Sequence, residues 1–198
     1  MVIRHNYTRN SKRAQAGLRY YQMRPRGKEE SPRPIFDSDG SITRTEAYRL
    51  MRECQAAPEP DAAPDAQPPF LCHRIVLAPS DEERPEDLRE MTRDVMRELE
   101  KDKGLRLHWV AIEHRHTEHH HVHVLLFGAG EDVRGQKQEV RLHREDHARM
   151  KAEGGAYCAW ERDERKAWER AIESAYELDA DEEIVVEQQR PWGQRDPE

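Results

Sequence analysis

Apolar positions along the chain fall into helix-like and strand-like spacings that lay out its elements in order. A short extended start, Val2 to Tyr7, leads into a helix over 11–24. Ser11 stands where a cap belongs, Ala14, Leu18 and Tyr21 share one face, and Pro25 stops the run. Residues 25–42 are rich in Pro, Gly, Ser and Asp and read as irregular. Thr43 to Cys54 reads as a second helix, opened by a Thr43/Glu46 capping box. Residues 56–69 hold five prolines and five alanines in fourteen positions, the composition of a loop or linker.

Phe70 to Leu77 is the next strand. Ser80, Asp81 and Glu82 followed by Pro85 open a long helix, roughly 83–103, which Gly104 ends. Leu105–His114 and His119–Phe127 read as two strands joined by a turn at 115–118, and residues 128–140 as a flexible loop. Helices at 144–153 and 157–178 follow, separated by Gly154 and Gly155. The expected fold is α+β, an α/β sandwich. A central antiparallel sheet carries a histidine-bearing hairpin, apolar on both faces, between flanking helices. Residues 1–178 read as one domain and 179–198 as an acidic, partly disordered tail.

Composition narrows the class. The chain has 198 residues, 35 % hydrophobic and 37 % charged, so its core is modest and its surface heavily charged. No stretch approaches the ~20 apolar residues of a membrane span, and the N-terminus has no secretory pattern. Cys54, Cys72 and Cys158 are odd in number and far apart, which suits free thiols in a reducing, cytoplasmic setting. The net charge of −7 hides a polarity. Residues 1–34 carry nine Lys/Arg against two acids, whereas residues 161–198 carry six against thirteen acids. The basic end reads as a phosphate-binding surface.

Seven of the eleven histidines lie between His108 and His123. Strand alternation puts His119, His121 and His123 on one face, and a turn at 115–118 sets His114 opposite His119. Three or four imidazoles on one hairpin have the geometry of a metal site. A histidine-rich surface turn is the bland alternative, but these histidines interleave with Val122, Val124, Leu125, Leu126 and Phe127 in a strand that must be buried. A structural zinc site would more typically recruit cysteines, and none lies near. On the first helix, Tyr21 lies with Ala14 and Leu18 on the apolar stripe and reads as core. Tyr20 lies with Arg13, Gly17 and Arg24 on a cationic face, where a phenol can meet a phosphodiester.

Taken together, these motifs resemble the relaxases, DNA-nicking enzymes of plasmid mobilisation and conjugation within the HUH endonuclease superfamily. The mobilisation-protein branch carries a stretch of the form Glu-His-Thr-Asp-x-Asp-His-Pro-His-hydrophobic-His. Here Glu113-His114-Arg115-His116-Thr117-Glu118-His119-His120-His121-Val122-His123 follows it without a gap, departing at His116, Glu118 and His120. Leu18-Arg19-Tyr20-Tyr21-Gln22-Met23-Arg24-Pro25 looks like that family's tyrosine motif, and the likeness spans roughly residues 1–150.

The resemblance implies that His114, His121 and His123 bind a divalent metal, with Mg²⁺ or Mn²⁺ in use and Zn²⁺ or Ni²⁺ in purified protein. Tyr20 is then the nucleophile, forming a 5′-phosphotyrosyl intermediate, and Glu113, His116 or His119 is a neighbour that assists. Arg4, Arg9, Lys12, Arg13, Arg19, Arg24 and Arg26 would contact single-stranded or extruded DNA at an origin-of-transfer-like site, with accessory nicking proteins as further partners. Two alternatives remain. Replication initiators and transposases of the superfamily place the tyrosine after the histidine strand, which would select Tyr157 or Tyr176. A non-catalytic metal-containing DNA-binding accessory protein is the other.

Overall fold

A computed structural model describes residues 1–23, 31–56, 69–115 and 119–187. Arg24, Arg26, His116, nearly all of the Pro/Ala-rich segment and residues 188–198 lie outside them. The chain divides into two compact units, residues 1–159 and 160–198.

In the first unit, six strands form one antiparallel sheet in the order β1-β4-β6-β5-β2-β3. They are β1 (Val2–Thr8), β2 (Ile35–Phe36), β3 (Ser41–Ile42), β4 (Cys72–Ala78), β5 (Trp109–His114) and β6 (His121–Phe127). The expected α+β sheet with a central histidine hairpin is what forms. Its position follows from its side chains. Trp109, Ala111, Val122, Val124 and Leu126 enter one core, while Val110, Ile112, Leu125 and Phe127 enter the other. A hairpin apolar on both faces must be covered twice, so it takes the middle of the sheet. Each fully buried Leu, Ile or Phe there contributes roughly 1.5–3 kcal/mol.

Helices supply the two covers. Helices α1 (Ser11–Met23) and α2 (Arg44–Glu53) bring Ala14, Leu18, Ala47 and Met51 to the second core. Helices α3 (Leu88–Lys103) and α4 (Arg144–Glu187) bring Met91, Val95, Leu99, Met150, Tyr157 and Cys158 to the first. Thr43 and Glu46 close the expected capping box on α2, and Gly104, at φ 60°, ends α3 in the left-handed conformation. All three cysteines are free and buried.

Four local expectations change. Asn10 caps α1 in place of Ser11, its Oδ1 accepting from Arg13 N at 3.0 Å. The third helix begins at Leu88 under an Asp87 cap, after a single 3₁₀ turn at Asp81–Glu83. Residues 128–140, expected as a loop, hold a small hairpin of β7 (Ala129–Glu131) and β8 (Lys137–Glu139). Asp132 Oδ1 closes its turn by accepting from the backbone of Arg134 and Gln136. Gly154 and Gly155 do not break the last helix, since α4 runs through both. At Gly154 the missing side chain admits Met1, whose Sδ would lie 2.1 Å from a Cβ there.

The second unit, beginning at Trp160, continues the helical chain and exposes Trp160, Trp168 and Ile172. Among the described residues no helix is long and apolar enough to cross a membrane.

Candidate metal centre

Register determines which histidines meet. His114 ends β5 and pairs with His121, the first residue of β6, while Ile112 pairs with His123. The connection therefore takes residues 115–120, and His114 stands opposite His121 where His119 had been expected. Alternation then sends His121 and His123 to the face of Leu125 and Phe127, and His114 to the face of Ile112. One ligand nitrogen from each of His114, His121 and His123 lies within 4.8 Å of the others. The His121 and His123 Nε2 atoms are 3.2 Å apart.

Hydrogen bonds set the tautomers. His114 Nε2 sits 2.9 Å from the Tyr21 carbonyl, which only accepts, so Nε2 carries the proton and Nδ1 keeps its lone pair. His121 Nδ1 likewise donates to the His119 carbonyl at 2.8 Å, which leaves the Nε2 lone pair directed at His123 Nε2. Two rings thus spend their N–H groups on backbone carbonyls and turn their lone pairs inward, the arrangement that orients metal-binding imidazoles. Three imidazoles, one of them His114 at 0 % exposure, suit a divalent cation.

Helix α1 ends on this cluster. The Tyr21 ring stacks on His123 with centroids 3.8 Å apart and planes at 10°. Its carbonyl, at the helix end, also accepts from Arg33 Nη1 at 3.2 Å. Carbonyls in the last turn have no partner within the helix, and here His114 and Arg33 supply them. Arg33 is buried at 2 % exposure and its backbone bonds Gln22, so the end of α1 is fixed. Burial pushes the Tyr21 phenol above its ordinary pKa, opposed by the neighbouring Arg74 guanidinium. Gly17 lies where α1 meets the sheet side chains. A Cβ there would meet Arg74 Cδ at 3.8 Å and the Tyr21 ring at 4.0 Å. Tyr20 is 57 % exposed and meets the edge of the Tyr21 ring.

The remaining expected residues scatter. Glu113 alternates to the opposite face and pairs with Arg89 at 3.2 Å and with Arg115. His119 lies outside the triad, with Nδ1 2.9 Å from Asp81 Oδ2, and reaches it through the carbonyl that holds His121. Arg4 shares a cross-strand row with Val76 and His123, two strands or roughly 10 Å away on the triad's face. Lys12, Arg13 and Arg19 are exposed on α1. Arg9 lies over the Phe70 and Tyr7 rings, at 4.2 and 5.1 Å from their centroids. Tyr157, the rival nucleophile, is buried in the core of the other face. Sequence reading missed Arg33, Arg74 and Asp81, whose roles depend on long-range contacts.

No protein-family profile matches the sequence, and no curated protein matches it. Solved structures do. A complex of TrwC with a 27-mer DNA comprising the recognition hairpin and the cleavage site is 12 % identical, covering 80 % of this chain and 69 % of that one at a TM-score of 0.50. A copper-bound structure of the conjugative relaxase TrwC with oriT DNA is 12 % identical, covering 82 % and 70 % at a TM-score of 0.52. The fold is similar to that of TrwC. At this identity the likeness to TrwC is one of architecture, and the chemistry must be argued from the residues present.

Proposed function

We propose that this protein nicks one strand of DNA at a specific site and rejoins it, as a metal-dependent relaxase of element mobilisation. The single observation that carries this reading is the contact between Tyr21 of α1 and the three-histidine cluster, with the Tyr21 and His123 ring centroids 3.8 Å apart. His114, His121 and His123 are the residues that would hold the ion. When bound, a divalent cation polarises a non-bridging oxygen of the scissile phosphate. Mg²⁺ or Mn²⁺ is the ion proposed in use, and the all-imidazole donor set also accepts Zn²⁺ or Ni²⁺.

The tyrosine supplies the nucleophile. Its phenol oxygen attacks phosphorus as the bond from phosphorus to the 3′ oxygen breaks, the phenolic proton passes through a base or water to that oxygen, which leaves as a hydroxyl, and the protein stays on the 5′ phosphate. A phenol leaves far more readily than an alkoxide, so a later 3′ hydroxyl can reverse the step. The contact with His123 favours Tyr21 for this role. The exposed phenol of Tyr20, placed there by the wheel, keeps it as the second candidate. The exposed Arg4, Lys12, Arg13 and Arg19 are the proposed phosphate contacts for single-stranded or extruded DNA at an origin-of-transfer-like site.

The test incubates the full chain with Mn²⁺ and a library of single-stranded oligonucleotides, then separates products on denaturing gels. A covalent adduct lost in Tyr21→Phe and kept in Tyr20→Phe is the expected result. The converse pattern transfers the role to Tyr20. Salt-sensitive binding with no adduct from any oligonucleotide leaves only an accessory DNA-binding protein.

A further inference from the structure

We infer that Tyr7, Phe70 and Arg9 form a stacking site for an unpaired base of single-stranded DNA, at the edge of the sheet and apart from the histidine triad. The assignment rests on the proposed single-stranded DNA substrate and locates a grip on that strand away from the nick. Strand β1 is one edge of the six-stranded sheet. Tyr7 pairs with His73 and His73 with Leu126, so the Tyr7 ring lies on the α4 face, opposite the triad.

Two aromatic rings stand at this edge with no core to fill. Tyr7 is 48 % exposed, Phe70 is partly buried, and neither belongs to either hydrophobic core. Their centroids lie 4.7 Å apart with planes at 73°. The Arg9 guanidinium sits over both rings, where their π-faces attract it. A base and its phosphate need a π-face to stack on and a cation beside it, and this corner presents both.

Exposed rings scattered singly are ordinary, whereas this pair is held in place by its backbone. The Phe70 N–H donates to Glu139 Oε1 at 2.9 Å. Leu71, the next residue, donates to the Thr8 carbonyl at 3.1 Å and accepts from the Gly128 N–H at 2.9 Å. A Cβ on Gly128 would lie 1.6 Å from the Phe70 carbonyl oxygen, so that approach requires glycine. Tyr7 is held by the β1–β4 ladder. Stacking on rings already in place costs little ordering entropy. Glu139 also accepts from Arg141 Nε at 2.6 Å, which offsets its repulsion of a phosphate.

The path of the strand follows from the chain. Strand β1 turns into α1 through Arg9 and Asn10, and Lys12 and Arg13 stand exposed on the first turn of α1. A phosphate backbone lying on Lys12 and Arg13 reaches Arg9 at that corner, and its next base meets Tyr7. Charge alone would hold any nucleic-acid backbone, and stacking adds a preference for unpaired bases.

The experiment follows fluorescence anisotropy of labelled oligonucleotides titrated with the full chain over a range of salt. One strand is oligodeoxythymidine, the other an abasic strand of equal length. Tyr7→Ala is expected to lose about tenfold on the thymidine strand, within the range for one stacked base, and nothing on the abasic strand. Tyr7→Phe keeps the native affinity, and Arg9→Ala lowers the salt slope on both strands by about 0.7, the loss of one phosphate contact. Circular dichroism checks folding. Should Tyr7→Ala not fold, Tyr7→Leu, which keeps apolar bulk and removes the π-face, takes its place with the same expectation. Equal losses on the two strands, or none on either, overturn the inference and leave DNA binding in place. A native chain that binds neither strand overturns both, and lack of a covalent adduct bears only on the nicking reading.

Discussion

The two faces of one sheet carry two groups of three histidines, built differently. On the α1 side, His114 and His121 give their N–H groups to the carbonyls of Tyr21 and His119, and the ligand nitrogens converge within 4.8 Å. On the α4 side, one N–H goes to Val140, and His5 and His73 hydrogen-bond each other. The first group is preorganised by backbone that the hairpin and α1 fix in place. In each group two rings also hydrogen-bond each other, His121 with His123 at 3.2 Å and His5 with His73 at 3.0 Å, but only the first brings three ligand nitrogens together. Convergence of lone pairs therefore depends on what lies behind the rings, since both groups have similar strands beneath them.

A cavity on either face separates stability from the site. Leu125 and Leu126 are neighbours in β6, both fully buried, pointing to opposite cores. Truncating either to Ala is expected to cost about 2–5 kcal/mol in urea unfolding. Only Leu125→Ala should also weaken the triad, because Leu125 lies two residues from His123 on its face. Equal loss of triad Zn²⁺ affinity in both variants would mean that the site merely reports global stability.

A smaller effect probes the support behind His121. Asp81 holds His119, whose carbonyl holds His121. Asp81→Asn is expected to lower Zn²⁺ affinity at the triad by about tenfold, at the low end for outer-shell ligand support, and to leave the urea midpoint unmoved. Dialysis that finds no change at the triad removes Asp81 from its support.

The hairpin, the Thr43/Glu46 cap and the stop at Gly104 were legible because each rests on local periodicity or local hydrogen bonds. The hairpin register was not. Residues 115–120 contain no Asn-Gly or Asp-Gly pair to fix the loop length, so counting a four-residue turn set His114 against the wrong partner. Gly154 reads as a breaker from sequence, and only the arrival of Met1 from the far end of the chain explains its place in a helix. The β7–β8 turn did leave a signal, since Asp132 and Gly135, at φ 74°, are turn residues. Tyr21 shows the limit most clearly. The wheel placed it correctly on the sheet-facing stripe, but no wheel reveals that the sheet beneath is imidazole.

The gentlest way to sharpen the comparison is acid, applied to the metal-free chain. Burial, with His73 and His147 facing it, lowers the His5 pKa to about 4. Burial also lowers that of His73, which Glu139 opposes and Lys103 reinforces. Unfolded, each imidazole titrates near 6.5. Between that pH and about 4 the unfolded chain binds more protons than the folded one, so stability falls as pH falls through the window. The carboxylates with lowered pKa values, Glu46, Asp132, Glu139 and Asp146, begin from ordinary values of 3.8 to 4.5 and contribute below it. The urea midpoint should therefore decline from pH 6.5 to 5, and His5→Gln should make that decline shallower, with His73 and His120, both also lowered by burial, sustaining the rest. A variant whose profile overlays that of the native chain would show that His5 is neutral in the folded protein for no energetic reason, leaving His73 alone to account for the acid sensitivity of that face.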